Sequence, residues 1–220
     1  MTNSAAMARS FSASFVFAIR SRYDGLTSYG LAFVVALTSN LSAAESGRYL
    51  GLLNATNGPV SSPILAVELD TILSPEFRDI NSNHVGIDVN SLQSIAAHPA
   101  GYYDDKTGAF HDLLLISGKA MQVWVDYDSG SAQISVFLAP LKNGAKPSTP
   151  LVSAKYNLSE VLVEPAYAGF SSSTGTALLV PSTSAACRSC RSWAPSRGLR
   201  CRTSSCRSPP RRSSSAWWPW

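Results

Sequence analysis

Cysteine is missing from the first 186 residues of this 220-residue chain. That stretch therefore relies on neither disulfides nor thiol chemistry. Charge is sparse: Asp, Glu, Lys and Arg make up 15% of the chain. No window of useful length repeats its apolar residues every 3.6 positions, so amphipathic helices are not expected. "LAFVVAL" (31–37) falls well short of the roughly 20 apolar residues that a membrane helix needs. The opening "MTNSAAMARSFSASFVFAI" is interrupted by Ser and alternates, which reads as a strand and not as a targeting signal. No phosphate-cradling glycine loop, no HRD or DFG triplet and no nucleophile elbow occurs. An enzyme is therefore not expected.

Acid is missing from the C-terminal end. From Pro181 to Trp220 there are eight Arg and no Asp or Glu, whereas the first 180 residues hold ten Lys plus Arg against fourteen Asp plus Glu. A tail of +8 thus follows a body of about −4, and the pI near 9.0 belongs to the tail. Nucleic acid is not an expected partner of the body. All four cysteines (Cys187, Cys190, Cys201, Cys206) lie in this tail. Their C-x2-C and C-x4-C spacing in an Arg/Ser/Pro background reads as an unstructured segment more readily than as a zinc site. A shifted reading frame in GC-rich coding sequence would give the same composition as a genuine basic tail. Disorder is expected from about residue 181.

What remains is β-sheet. The segments 10–20, 31–37, 64–71, 84–90, 111–117, 120–127, 131–139, 151–156 and 166–171 are short, β-rich and bounded by turn residues. "MQVWVDYD" alternates, and "DSGS" joins it to "QISVFLAP" as a hairpin. Trp124 reads as a core residue. Many short strands with frequent turns imply an all-β sandwich or jelly roll. Residues 1–8 form a leader without clear structure, 9–176 the domain, and 177–220 the Arg/Ser/Cys-rich tail.

The chemistry concentrates in "AVELDTILSPEFRDINSNHVGIDVN" (66–90). Residues two apart in a strand share a face, so Glu68 and Asp70 project together. A polar loop carrying Asp79 follows, and His84 opens the next strand. Paired antiparallel strands would bring Glu68, Asp70, Asp79 and His84 to one end of the sheet. Three carboxylates and an imidazole suit a Mn²⁺-like ion, and spare carboxylate oxygens with loop carbonyls suit Ca²⁺. The alternative is a solvated acidic loop.

"LAVELDT" (65–71) resembles the signature strand of the legume (L-type) lectins, and "RSFSASFVFAI", "YGLAFVVA", "GRYLGLLN", "HVGIDVNSL", "MQVWVDYD" and "YAGFSSSTG" follow that family's order over residues 9–176. "PAGYYDDKTG" and "LISGKAMQVWVDYD" are similar to the lectin ectodomains of plant lectin receptor kinases. The resemblance implies a concanavalin-like jelly-roll sandwich, here expected to be incomplete at both ends, with unpaired sheet edges and low solubility. It implies Mn²⁺ on Glu68, Asp70, Asp79 and His84. It also implies Ca²⁺ bridged by Asp70 and Asp79, with the Ile72 carbonyl and the Ser74 side chain. These ions shape loops beneath a sugar pocket.

In the family that pocket uses an acceptor Asp, a donor glycine amide, an Asn and an aromatic ring. The matching positions here are Tyr29, Arg48 with Gly47 beside it, Ser74 and Ile72. A phenol cannot replace a carboxylate that accepts several hydrogen bonds, so the pocket is altered. The implied function is metal-dependent carbohydrate binding. The alternatives are a module for a non-sugar ligand or a protein on the same scaffold, and an inactive truncated product. The implied partners are a glycan and a second copy of the chain. The implied location is extracellular or at the plasma membrane, although the chain shows neither a signal peptide nor a transmembrane helix.

Overall fold

The computed structural model describes residues 8–20, 28–55, 63–162, 166–173 and 214–219. Twelve strands are described: β1 (Phe11–Phe17), β2 (Gly30–Ala36), β3 (Ile64–Asp70), β4 (His84–Val89), β5 (Ala96–Pro99), β6 (Gly101–Tyr103), β7 (Phe110–Asp112), β8 (Met121–Asp128), β9 (Gln133–Pro140), β10 (Val152–Lys155), β11 (Tyr167–Ser173) and β12 (Ser214–Pro219). One sheet runs β1-β8-β9-β10, a second runs β12-β11-β2-β3-β4-β5, and β6 pairs with β7. The pairings within them are antiparallel. The all-β expectation holds.

The period-2 patterns locate the core. β1 buries Phe11, Ala13, Phe15 and Phe17, and β8 buries Met121, Val123, Val125 and Tyr127. These faces meet Leu31, Phe33 and Val35 of β2 and Leu65, Val67 and Leu69 of β3 in one cluster between the two larger sheets. Each large apolar side chain so buried contributes roughly 1.5–3 kcal/mol. Trp124 corrects the expectation: it lies on the other parity of β8, half-buried and outside this cluster.

The three central strands β2, β3 and β4 are buried along their whole length, which a sheet facing solvent on one side does not allow. A second, smaller cluster explains this. Ala32, Val34, Ala36, Ile64 and Ala66 face outward and are covered by Leu50, Leu52, Leu53 and Leu92. The outer face of the six-stranded sheet is therefore roofed by the loop around residues 41–53. On β3 this covered face continues from Ile64 and Ala66 into Glu68 and Asp70. The apolar pattern of the strand thus delivers two acids into a sheltered site.

Three features depart from the sequence reading. β5 and β6 are additional strands in a Pro- and Ala-containing stretch. The segment expected over 111–117 is a strand only to Asp112, after which the chain turns and drops Leu115 into the core. The third is β12, which lies inside the tail expected to be disordered and pairs with β11 from Tyr167↔Pro219 to Ser172↔Ser214. Disorder from residue 181 therefore does not hold for residues 214–219, whose backbone groups find ladder partners on β11. The four cysteines and their C-x2-C pair lie outside the described residues. Among the described residues, no helix is long and apolar enough to cross a membrane.

Candidate functional site

β3 and β4 pair with Asp70 opposite His84 and Glu68 opposite Gly86. That register puts Glu68, Asp70 and His84 on the outer face, one rung apart. All three are buried, and each offers a ligand atom within 4.8 Å of the other two. His84 Nε2 lies 3.2 Å from Glu68 Oε1, and His84 Nδ1 lies 2.8 Å from the Asn81 carbonyl. An Nδ1–H donated to that carbonyl leaves Nε2 as an acceptor facing another acceptor. A proton or a cation must lie between them. A backbone carbonyl on the far nitrogen is also the arrangement that orients a metal-binding imidazole.

Asp79 does not join this tight group. Its Oδ2 accepts from the Ser74 amide at 2.6 Å, which folds the 71–79 loop onto itself. Asp70 Oδ1 likewise accepts from the Ile72 amide at 2.6 Å. Ser74 is buried at 4% exposure, and Ile72 is half-buried.

Two residues that the spacing argument passed over complete the cluster. Asp88 is fully buried on the same face as His84, and Ser94 stands 2.7 Å from both Glu68 Oε1 and Asp88 Oδ1. One hydroxyl has one proton to donate, so one of these carboxyls must itself carry a proton toward Ser94. Asp88 Oδ2 has no hydrogen-bond partner among the described residues. The signal was available in the sequence, because residues 84, 86 and 88 share a strand face.

The electrostatics follow from burial. No Lys or Arg is among the buried residues described, so Glu68, Asp70 and Asp88 are sheltered with one imidazole and no cationic side chain. Burial, with the Glu68 charge adding to it and the Ile72 amide opposing it, pushes Asp70 up to about 7. Burial first and Glu68 second push Asp88 well above the carboxylate range. Burial also raises Asp79. For His84, burial pushes the imidazole down, but the hydrogen bond and charge of Glu68, with Asp70 and Asp79, outweigh it and raise the pKa. Excess buried carboxylate is costly unless neutralised, and a divalent cation with oxygen and imidazole ligands would neutralise this set.

This predicts a pH dependence for the metal-free chain. Asp70, Asp79, Asp88 and His84 each bind a proton more tightly folded than unfolded. Their stabilising contribution is therefore complete at pH values below the unfolded pKa and is lost as pH rises through the folded value, about 7 for Asp70. At about 1.4 kcal/mol per pKa unit, the melting temperature in chelator should fall by roughly 5–10 °C between pH 5 and pH 8. A flat or rising profile would contradict the shifts.

Gly86 is the second structural requirement. A Cβ there would stand 2.5 Å from Glu68 Oε1 and collide with Ser94 Oγ. Gly86→Ala should displace the Glu68 carboxylate and destabilise the fold by about 1–3 kcal/mol, with divalent-cation binding lost. Unchanged cation affinity, measured by calorimetric titration, would show that Glu68 does not need this space.

The expected sugar positions sit beside the cluster. Tyr29 is half-buried, and its amide donates to the Ser173 carbonyl (2.9 Å) while its carbonyl accepts from Thr71 (3.3 Å). Its ring packs beneath Gly47. The Gly47 amide is already taken, donating to Ser173 Oγ at 2.5 Å. Arg48 turns toward the neighbouring loop. Its guanidinium lies 2.8 Å from Glu76 Oε1 in the 71–83 loop. An open groove of about 380 Å³ is lined by Thr71, Ile72, Leu73, Ser82, Asn83, Leu114 and Ile116.

Comparison with known proteins places this geometry. The family model for the legume lectin domain matches residues 1–187. The chain is 55% identical over 168 residues to the L-type lectin-domain containing receptor kinase SIT1 of Oryza sativa subsp. japonica, covering 76% of this chain and 25% of the relative. It is 54% identical over 170 residues to the L-type lectin-domain containing receptor kinase IV.1 of Arabidopsis thaliana, covering 77% and 25%. The chain thus spans about a quarter of the length of these curated relatives. Among solved structures, lectin I-B4 from Griffonia simplicifolia in a metal-free form is similar with a TM-score of 0.62 and 29% identity, covering 80% of this chain and 68% of that one. The lectin from Bauhinia forficata in complex with GalNAc is similar with a TM-score of 0.59 and 28% identity, covering 76% and 66%.

Proposed function

Because the chain belongs to the legume lectin domain family, we propose that it binds carbohydrate through loops ordered by Ca²⁺ and Mn²⁺, with a pocket altered from the family pattern. In this reading Glu68, Asp70, Asp79 and His84 hold Mn²⁺. Asp70 and Asp79 also reach Ca²⁺ with the Ile72 carbonyl and the Ser74 side chain. The ions supply the positive charge that the buried acids lack and offset the conformational entropy of ordering a polar loop. The observation that carries the metal part is the buried convergence of Glu68, Asp70 and His84 with no buried Lys or Arg among the described residues.

Glycan contact falls to Tyr29, Gly47, Arg48, Ile72 and Ser74. Tyr29 offers a phenol where the family pattern has a carboxylate, the Gly47 amide is committed to Ser173, and Ile72 presents no ring. A hydrogen bond to a charged group is worth about 1.5–3 kcal/mol, so binding of simple monosaccharides should be weaker than millimolar. Calorimetric titration checks this, together with the set Tyr29→Asp, Arg48→Gly, Ile72→Phe and Ser74→Asn, which should gain sugar binding. Strong monosaccharide binding by the unaltered chain would show that the pocket lies elsewhere. A folded repaired chain that stays silent would favour the second reading, a non-sugar ligand, for which the open groove lined by Leu73 and Leu114 together with Thr71, Ser82 and Asn83 is the nearest candidate surface.

The work of a lectin domain is binding. The kinase in the relatives' names belongs to their remaining length, so catalysis is not assigned to this chain. In this reading the domain is extracellular or associated with the plasma membrane, which the receptor kinases among its relatives support.

A further inference from the structure

We propose that Arg48 and Tyr49 latch the recognition loop to the metal-side loop through Glu76 and Phe77, so that a divalent cation ordering residues 71–83 also orders residues 46–50. The inference rests on the metal-site reading above and adds positioning residues that touch no ion.

Two short 3-10 turns carry the latch, Gly47–Tyr49 and Pro75–Phe77. Each ends on a left-handed residue, Leu50 at φ 51° and Arg78 at φ 61°, so each turn is a compact knuckle. The knuckles face one another. Arg48 Nη1 lies 2.8 Å from Glu76 Oε1. The Tyr49 and Phe77 rings meet edge-on at 5.6 Å between centroids, with an interplanar angle of 67°. The Arg48 guanidinium also lies over the Tyr49 ring, 5.3 Å from its centroid, so the ion pair and the aromatic pair support each other.

The far side of the recognition loop is fastened differently. Ser171 Oγ donates to the Leu50 carbonyl at 2.6 Å, and Ser173 Oγ accepts from the Gly47 amide at 2.5 Å. Both serines are buried on β11. The loop is thus bolted to the sheet on one side and held to the metal-side loop by the knuckles on the other.

Arg48 and Glu76 are 51% and 42% exposed, and an exposed ion pair alone holds weakly. An edge-on aromatic pair adds to it. Two contacts between two three-residue turns also share one ordering cost. The latch assigns a role to Arg48: its length spans the gap between the loops.

The test is hydrogen exchange read by mass spectrometry on the full chain, in chelator and then with Ca²⁺ plus Mn²⁺. The unaltered chain should show slowed exchange in 71–83 and, by about fivefold, in 46–53. With Arg48→Ala and Phe77→Ala together, the slowing should persist in 71–83 and vanish from 46–53. On the Phe77→Ala background, Arg48→Glu should abolish it and adding Glu76→Arg should restore part of it, which a merely damaged fold would not do. The proposal is overturned if cation protection of 46–53 survives the double substitution, or if protection in the unaltered chain is confined to 71–83. Absence of protection in 71–83 itself would overturn the metal-site reading and the latch with it.

Discussion

Removing divalent cations at pH 7.5 should lower the melting temperature by about 10 °C. At this pH burial disfavours the Asp70 charge, its pKa being pushed up to about 7, and Glu68 and Asp88 add further carboxyl groups with no buried Lys or Arg among the described residues to balance them. A ligand present at 100–1,000 times its dissociation constant stabilises a fold by roughly 2.7–4.1 kcal/mol. For a domain of this size each kcal/mol is worth about 2–4 °C. Melts with saturating Ca²⁺ and Mn²⁺ against melts in EDTA measure the difference. The loss should shrink toward pH 5, where protons replace cations on the raised carboxyls. A melting curve unmoved by EDTA at pH 7.5 would remove the physical basis of the site.

Asp70→Asn should move stability in opposite directions depending on cations. The amide keeps an oxygen for the Ile72 N–H, which Asp70 Oδ1 now accepts at 2.6 Å, and it discards a charge that burial disfavours. In EDTA at pH 8 the variant should therefore be more stable than the unaltered chain, by on the order of 3 kcal/mol. With Ca²⁺ and Mn²⁺ present it should gain nothing and be the less stable of the two. Asp70→Ala should lose the cation response as well, without the gain in EDTA, because the Ile72 amide then loses its acceptor. A variant destabilised equally in both conditions would mean that Asp70 serves packing alone.

Much of the fold was legible where strands alternate or run apolar without interruption. β1 and β8 declare their buried parity through Phe11, Phe15, Phe17 and Met121, Val123, Val125, and the uninterrupted runs of β2 and β3 announce burial on both faces. Trp124 was misplaced because a large aromatic in mid-strand invites a core assignment, while its parity opposes one. β5 escaped because Ala and Pro99 carry little strand propensity, and β6 because it is only three residues long. β12 escaped because Arg/Ser/Pro composition carries no period, although pairing with β11 needs only backbone groups.

The site was legible in part for the same reasons. The i, i+2 spacing of Glu68 and Asp70 and the position of His84 at the start of the next strand sufficed to bring three candidate ligands together. Asp79 belongs to a loop whose path depends on the Ser74 amide, which spacing does not report. Asp88 and Ser94 required the parity of β4 to be carried two residues further. The partner of Arg48, Glu76, lies 28 residues away, beyond the reach of local pattern.

The most direct measurement is elemental analysis of the full chain after dialysis against Ca²⁺ and Mn²⁺ and removal of free ions, with Asp70→Asn dialysed alongside. The expected result is about one Ca²⁺ and one Mn²⁺ retained per unaltered chain and neither by the variant, since the buried carboxylates of β3 supply the charge that holds them. Retention of no metal by a folded unaltered chain, or equal retention by the two proteins, would contradict the assignment of this site.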